Sequence, residues 1–473
     1  KIPFLSLPFP NGKDQKWHFN IGRKYFDENN VEVEVQSQTF DRNNPCEVCQ
    51  TTQVLLLNDI TVDKRVEFLP YVAGNFSGVK PSRNASLDYD TFKPNAGLGL
   101  NLDLSKNSGL EITLNPDFSQ VEADVTQIDV NSSFALEYPE RRPFFNRGTD
   151  IVNFTDGAFY SRSINNPLLS SKLLSQAKKS RIYFLTAIDQ NSPYQIAGED
   201  RSYLGQGGQS FVNVFRYQRL VNKNTRLGLV TTNRYYKEGG YGNLFGTDGW
   251  FLISKNWRLT YELLANFNQE PEADWIDSQD TIEGRSVALN QDKYSGSALY
   301  VQLSRNTEHW KSYVFYRNIT PEYQANVGFV VKNNRRWGTV FHEYQNFINK
   351  KGLQFFSIGT KADVNYTFQD YLKAISIDGI LGIKTFLNTT IEYTYDWDIF
   401  KNYLGRDYRN VGKSELVIRN NPSESFSLMI RSTFGKDLAY NEENPEVGRE
   451  FTFFIMPSFQ LGNKFNLSPS IRY

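Results

Sequence analysis

Along most of this chain apolar and polar side chains alternate with a period of two, and that pattern leaves few folds open. Trp257, Leu259, Tyr261, Leu263, Ala265 and Phe267 share one face of an extended segment, with Arg258, Thr260, Glu262 and Asn266 on the other. Phe356, Ile358, Thr360, Ala362, Val364 and Tyr366 oppose Ser357, Gly359, Lys361, Asp363 and Asn365 in the same way. Ile391, Tyr393, Tyr395 and Trp397 oppose Thr390, Glu392, Thr394 and Asp396, and Phe426, Leu428, Ile430 and Phe434 oppose Ser425, Ser427, Arg431 and Thr433. Successive side chains of a strand point to opposite faces, so this is β patterning with two unlike faces. Similar segments recur at 98–104, 227–235, 299–303, 323–329 and 375–383. Most have the roughly 9 to 11 residues that cross a bilayer at a tilt. Asn, Gly and Pro punctuate them at 222–224, 332–334, 420–422 and 462–463. The best helical candidate, 168–177, is short. The chain is expected to be all-β, with about 16 to 18 strands.

Alternation alone does not say whether the apolar face covers a core or meets lipid. Three features favour lipid. Aromatic residues gather near strand ends (Trp257, Phe267, Trp397, Phe434, Phe465, Tyr473), as interfacial girdles require. Very short turns, as at 332–334 and 462–463, contrast with long polar stretches at 268–293, 399–412 and 435–449, the two loop sizes of outer-membrane barrels. The last strand, 465–473, alternates cleanly and stops on Tyr473. A soluble propeller would show a repeat of about 40 to 50 residues, and none is visible. A spanning sheet cannot leave backbone groups unpaired in hydrocarbon, so the expected architecture is a closed antiparallel transmembrane β-barrel.

Composition removes other classes. Fifty-two Lys+Arg balance 52 Asp+Glu, which gives no electrostatic footprint for nucleic acid. Thirty-six Phe and 27 Tyr exclude a disordered chain. No run approaches the roughly 18 to 20 apolar residues of a spanning helix. Lys1-Ile2-Pro3-Phe4 lacks a signal peptide's apolar region, so a mature form or a fragment is expected.

Residues 115–150 break the alternation. They place Asp117, Glu122, Asp124, Glu137 and Glu140 close in sequence to Arg141, Arg142 and Arg147. In a barrel such a segment belongs in the lumen, as a plug or constriction held by salt bridges. Carboxylates beside three arginines are held ionised rather than poised as proton donors, which disfavours catalysis.

Asn-Pro-Asp-Phe-Ser-Gln-Val-Glu-Ala-Asp at 115–124 and Tyr-Pro-Glu-Arg-Arg-Pro-Phe-Phe at 138–145 resemble the signature of a Bacteroidota cell-envelope family. Its members carry an N-terminal carbohydrate-binding module of the family-9-like type and a C-terminal barrel domain of unknown function. Phe159–Arg162, Gly239–Gly242, Arg317–Tyr323 and Gly328–Val330 continue the likeness, and the opening Lys1–Phe9 with Trp17 resembles the module's last strands. The resemblance implies a periplasmic β-domain remnant at 1–63 and an outer-membrane barrel at 64–473; most of the module is absent, so any sugar site on it is assigned to no residue of this chain.

Cys46-Glu47-Val48-Cys49 has C-x-x-C spacing without a second ligand pair, so a local disulfide is the expectation rather than zinc, with a pair of inert thiols as the other reading. His18, His309 and His342 share no ligand spacing. There is no Gly-x-Ser-x-Gly elbow or P-loop, and Gly97 and Gly99 are read as relieving crowding in a strand. Arg335-Arg336-Trp337 is read as a contact at the periplasmic rim. No catalytic residue, metal or cofactor is expected. The partners expected are outer-membrane lipid, other envelope proteins and glycan. The function expected is a non-catalytic, largely plugged barrel in an envelope assembly. The alternatives are a porin-like or gated channel for polar solutes and, less favoured, an integral-membrane hydrolase.

Overall fold

The computed structural model describes residues 14–26, 32–39, 50–58, 66–76, 78–80, 82, 86–105, 107–116, 133–282, 284–350, 352–385, 388–423, 425–440, 444–462 and 464–473. Asp117, Glu122, Asp124, Cys46 and Cys49 lie outside the described residues.

One antiparallel sheet of twenty strands dominates. In chain order these are Val66–Asn75 (β1), Lys93–Ser105 (β2), Ser108–Leu114 (β3), Pro167–Gln176 (β4), Ser180–Asp189 (β5), Ser210–Asn222 (β6), Thr225–Tyr236 (β7) and Tyr241–Leu252 (β8). Trp257–Gln269 (β9), Lys293–Asn306 (β10), Trp310–Ile319 (β11), Arg335–Lys350 (β12), Leu353–Tyr366 (β13) and Leu372–Thr385 (β14) follow. Thr389–Tyr403 (β15), Arg406–Ser423 (β16), Phe426–Leu438 (β17), Val447–Leu461 (β18), Phe465–Leu467 (β19) and Ile471–Arg472 (β20) complete it. Each strand pairs with its successor from β1 through β19. β19 and β20 both flank β18 and form one ribbon interrupted around Pro469, which has no N–H to give a ladder. The count exceeds the expected 16 to 18 because several stretches read as loop or helix belong to the wall. Before the sheet, Asp14–His18 pairs with Val54–Asn58 and Gly22–Phe26 with Glu32–Gln36. Among the described residues no helix is long and apolar enough to cross a membrane.

The sheet is inverted relative to a soluble one. In β9 the outward Leu263 and Phe267 are 47% and 53% exposed, whereas the inward Glu262 and Asn266 are 5% and 0% exposed. In β7 Leu229 and Tyr235 are exposed while Thr232 and Arg234 are buried. Ile358, Val364 and Tyr366 of β13 are exposed, on the face that the alternation assigned them. The girdle candidates Trp257, Phe267, Trp397, Phe434, Phe465 and Tyr473 are all exposed. Tyr473, however, pairs with Phe453 midway along β18 rather than at a strand end.

Connections separate by rim. After β2, β4, β6, β8, β10, β12, β14, β16 and β18 they span two to four residues. The opposite rim carries 76–92, 115–166, 190–209, 270–292 and 320–334, together with four shorter links. Several expectations change here. The helical candidate 168–177 is strand β4: its inward Leu174 meets an apolar lumen core, so leucines fall on both faces and blur the alternation. Residues 323–329 are not a strand; Val327 packs into that core and Tyr323 and Ala325 into a second buried cluster with Val230, Leu244 and Leu264, which produces the alternation. Residues 399–412 are no loop, since β15 and β16 run on to a two-residue turn at 404–405. The turn at 332–334 belongs to the 320–334 connection on the long rim. Arg335–Trp337 opens β12 at that rim, not among the short turns.

Candidate functional site: a filled lumen and a cationic mouth

The segment 133–166 leaves the wall after β3 and returns at β4. It holds one helical turn, Pro143–Asn146 (α1), started by a proline whose missing N–H would be unpaired there anyway. Two 3-10 turns, Thr149–Ile151 and Ser161–Ser163, follow. Phe144, Phe145, Ile151, Val152 and Ile164 pack against Leu174, Tyr183, Leu185, Val212 and Val214 of the wall. Gly148 has φ +87, and a Cβ there would meet Leu174 at 2.7 Å. The segment crosses the 320–334 connection at Gly157 and Gly328, where a Cβ on Gly328 would lie 1.8 Å from the Gly157 carbonyl oxygen. Only glycine permits that approach.

Of the charges singled out in the sequence, Glu140 and Arg142 form a buried pair, with Arg142 Nη2 2.7 Å from Glu140 Oε2. Arg142 also donates to the carbonyls of Ile164 (2.7 Å) and Ser161 (2.9 Å), and Ser161 Oγ donates to Glu140. Burial opposes ionisation of Glu140. The hydrogen bond and charge of Arg142 outweigh it and hold the carboxyl below the usual range. Arg147 reaches the wall at Glu111 (2.9 Å). Glu137 and Arg141 flank the clamp in the same stretch of chain. The segment therefore folds on itself around Glu140–Arg142 and is tied to the wall elsewhere.

Those ties come from wall residues that the sequence did not single out. Glu262 accepts the backbone N–H groups of Asp156 (2.7 Å) and Thr155 (3.0 Å). Arg317 pairs with Asp156 and donates to the Thr155 carbonyl (3.0 Å). Arg216 donates to the Ile151 carbonyl (3.1 Å) while paired with Asp248, and Arg234 donates to the Ser163 carbonyl (2.8 Å). Lys172 pairs with Glu111 (2.9 Å) and donates to the Phe144 carbonyl. Burial raises the Asp156 carboxyl above its ordinary range, against the pull of Arg317. The available signal was a charged residue at an inward position of an alternating strand, as with Glu262.

From β13 to β18 the inward face is charged as well but less covered. Lys361 pairs with Asp363 (2.8 Å) and Asp378 (2.7 Å), Lys413 with Asp437 and Glu450, and Arg419 with Glu392 (2.6 Å). The Lys413 and Arg419 side chains are 33% and 42% exposed.

At the long-connection rim a cavity of about 320 Å³ lies between the wall, Ser133 and Phe134, Glu199 and Asp200, and the end of 320–334. Lys332, Arg335, Lys373 and Lys401 line it with Glu199 and Asp200. Lys373 bridges both carboxylates, and Asp200 also accepts the Leu404 N–H (3.0 Å). Burial among the loops, then the charges of Arg335 and Lys401, push the Lys332 ammonium down to about 8. The Lys332 side chain itself stays open to water at the mouth. Among the described residues no group of three His, Cys, Asp or Glu is placed to hold a metal ion.

Residues 63–207, which take in β1 to β5 and the lumen segment, match the family model described as a domain of unknown function, DUF5916. No curated protein matches the chain. Among solved structures, a point mutant of the ferric enterobactin receptor PfeA of Pseudomonas aeruginosa is 9% identical, with 89% of this chain and 76% of that chain covered and a TM-score of 0.37. The same receptor in complex with BCV-L6 is 8% identical over 89% and 77%, with a TM-score of 0.38. The ferric yersiniabactin uptake receptor FyuA of Yersinia pestis is 8% identical over 88% and 71%, with a TM-score of 0.36.

Proposed function

We propose that this chain is an outer-membrane β-barrel whose sheet closes on itself, whose apolar outer face meets lipid, and whose lumen is occluded along one arc by residues 133–166 and 320–334. In this reading it is not an enzyme. It is a largely plugged barrel that serves as a subunit or partner of a cell-envelope assembly or a glycan-linked surface system. The observation that carries the membrane part is the inversion of the wall: exposed Leu263 and Phe267 alternate with buried Glu262 and Asn266. Such a face is costly in water and favourable in hydrocarbon.

Closure is supported by the reach of the inner residues. Residues of 133–166 and Asp200 of the 190–209 connection contact Glu111 in β3, Arg216 in β6, Glu262 in β9, Arg317 in β11, Lys373 in β14 and the turn after β15. A sheet touched from within at so many strands is curled around its contents. The two margins, β1 and the β19–β20 ribbon, run in the same direction, so direct joining would make a parallel pair. β1 starts at the short-turn rim, which in outer-membrane barrels faces the periplasm. On that orientation residues 1–63 form a periplasmic β-domain and 64–473 the barrel.

The test uses the full chain in planar bilayers. Intact protein should conduct little, and a Glu262→Ala/Arg317→Ala variant, with the inner segment loosened, should conduct more. A chain that stays monodisperse in buffer without detergent would overturn the membrane reading. A second reading, a gated channel for polar solutes, is favoured by the partly uncovered, charged arc from β13 to β18; steady porin-sized conductance from the intact protein would support it instead.

A further inference from the structure

The mouth cavity has a charge imbalance that its own residues leave unresolved. Four cationic side chains line it, and both lining carboxylates, Glu199 and Asp200, are engaged by Lys373. Lys401 is paired with Asp398 (2.9 Å), outside the lining. That leaves Lys332 and Arg335. Among the described residues neither has a carboxylate partner within ion-pair distance. Lys332 lies over the Phe134 ring at 4.1 Å, and Arg335 lies over the Trp337 ring at 4.3 Å. The Arg335 Nε is buried without any hydrogen-bond partner. A ring face stabilises a cation only partly, so Lys332 and Arg335 both keep charge that an anion in the cavity would balance.

We infer that this cavity is a binding site for a small soluble oxyanion, a phosphate or carboxylate group, held between Lys332 and Arg335. The pairing suits the two donors. Arg335 offers a planar fork that matches an oxyanion's paired oxygens, and Lys332 supplies a movable point charge. Of the amides lining the same space, Asn334 is bonded to Glu199 and Gln369 and Asn402 to Asp407 and Lys373, which leaves Asn365 to meet the polar remainder of a larger solute. The volume exceeds what a bare ion fills. Loops packed over Lys332 depress its ammonium first, and the charges of Arg335 and Lys401 add to that; a bound anion would relieve the second cause. This site does not depend on whether the lumen conducts.

The test is calorimetric titration of the full chain, solubilised in an uncharged detergent, with inorganic phosphate at low ionic strength. Binding should be saturable. It should weaken at least tenfold in Lys332→Met and in Arg335→Gln, persist in Lys332→Arg, and be unchanged in Lys311→Met, which lies on β11 outside the cavity. Melting curves establish that each variant is folded. Three outcomes overturn the proposal: no saturable heat from phosphate up to millimolar concentration, binding unchanged in both Lys332→Met and Arg335→Gln, or binding only when phosphatidic acid is added to the micelle, which would assign the site to a lipid headgroup.

Discussion

The arc from β3 to β11 and the arc from β13 to β18 are built from the same alternating ribbon, yet their inner faces live in different surroundings. On the first arc Arg216 and Arg234 are fully buried and Glu262 nearly so, each bonded to the folded segment inside. On the second, Lys413 pairs with Asp437 and Arg419 with Glu392 while water still reaches them. The outer faces are alike. Outward chemistry is therefore fixed by the solvent around the wall, and inward chemistry by whatever occupies the lumen locally. A buried charged bond is expensive to break, whereas an exposed ion pair contributes little.

The sharpest way to break this comparison is Glu262→Ala. It strips acceptors from two buried N–H groups and should destabilise the protein by about 3–5 kcal/mol, read as a fall in melting temperature in detergent. A loss under about 1 kcal/mol would mean that the inner segment is not held as described. Next, Leu263→Arg on the filled arc and Ile358→Arg on the uncovered arc should each cost about 2–4 kcal/mol in folding into lipid vesicles, if both sit near mid-bilayer. Unequal costs would show that the outer faces are not equivalent. Gly328→Ala should cost about 1–3 kcal/mol through its clash with the Gly157 carbonyl, monitored by protease sensitivity of the inner segment. The smallest effect belongs to Arg419→Ala, at most about 1 kcal/mol in thermal unfolding, because its partner stays hydrated.

How much of this was readable in advance follows from the same contrast. The faces of 257–267 and 356–366 were legible because a period of two survives any tertiary arrangement and the outward face of both strands is largely apolar. The strand 167–176 was not, because Leu174 is apolar on an inward position where the lumen is filled. Tyr323, Ala325 and Val327 mimic a strand for the same reason. Residues 399–412 resembled a loop because the β15–β16 hairpin carries Lys401, Asn402, Asp407 and Arg409 near its turn. Of the inner charges, the Glu140–Arg142 pair was visible as a local cluster. Its counterparts on the wall were not: Glu262 meets Asp156 across 106 residues and Arg317 meets it across 161, separations that no local pattern records.

The wall's grip on the inner segment has a consequence for how freely that segment can change. Glu262, Arg317, Arg216, Arg234 and Lys172 hold it largely by its main chain, at the amides of 155 and 156 and the carbonyls of 144, 151, 155 and 163. Main-chain groups are common to every residue but proline, whose nitrogen has no hydrogen to offer at 155 and 156. The moorings thus respond to the path of the thread more than to its lettering. Many side chains along it can be exchanged without loosening the anchorage, provided the bends at Gly148 and Gly157 keep their shape.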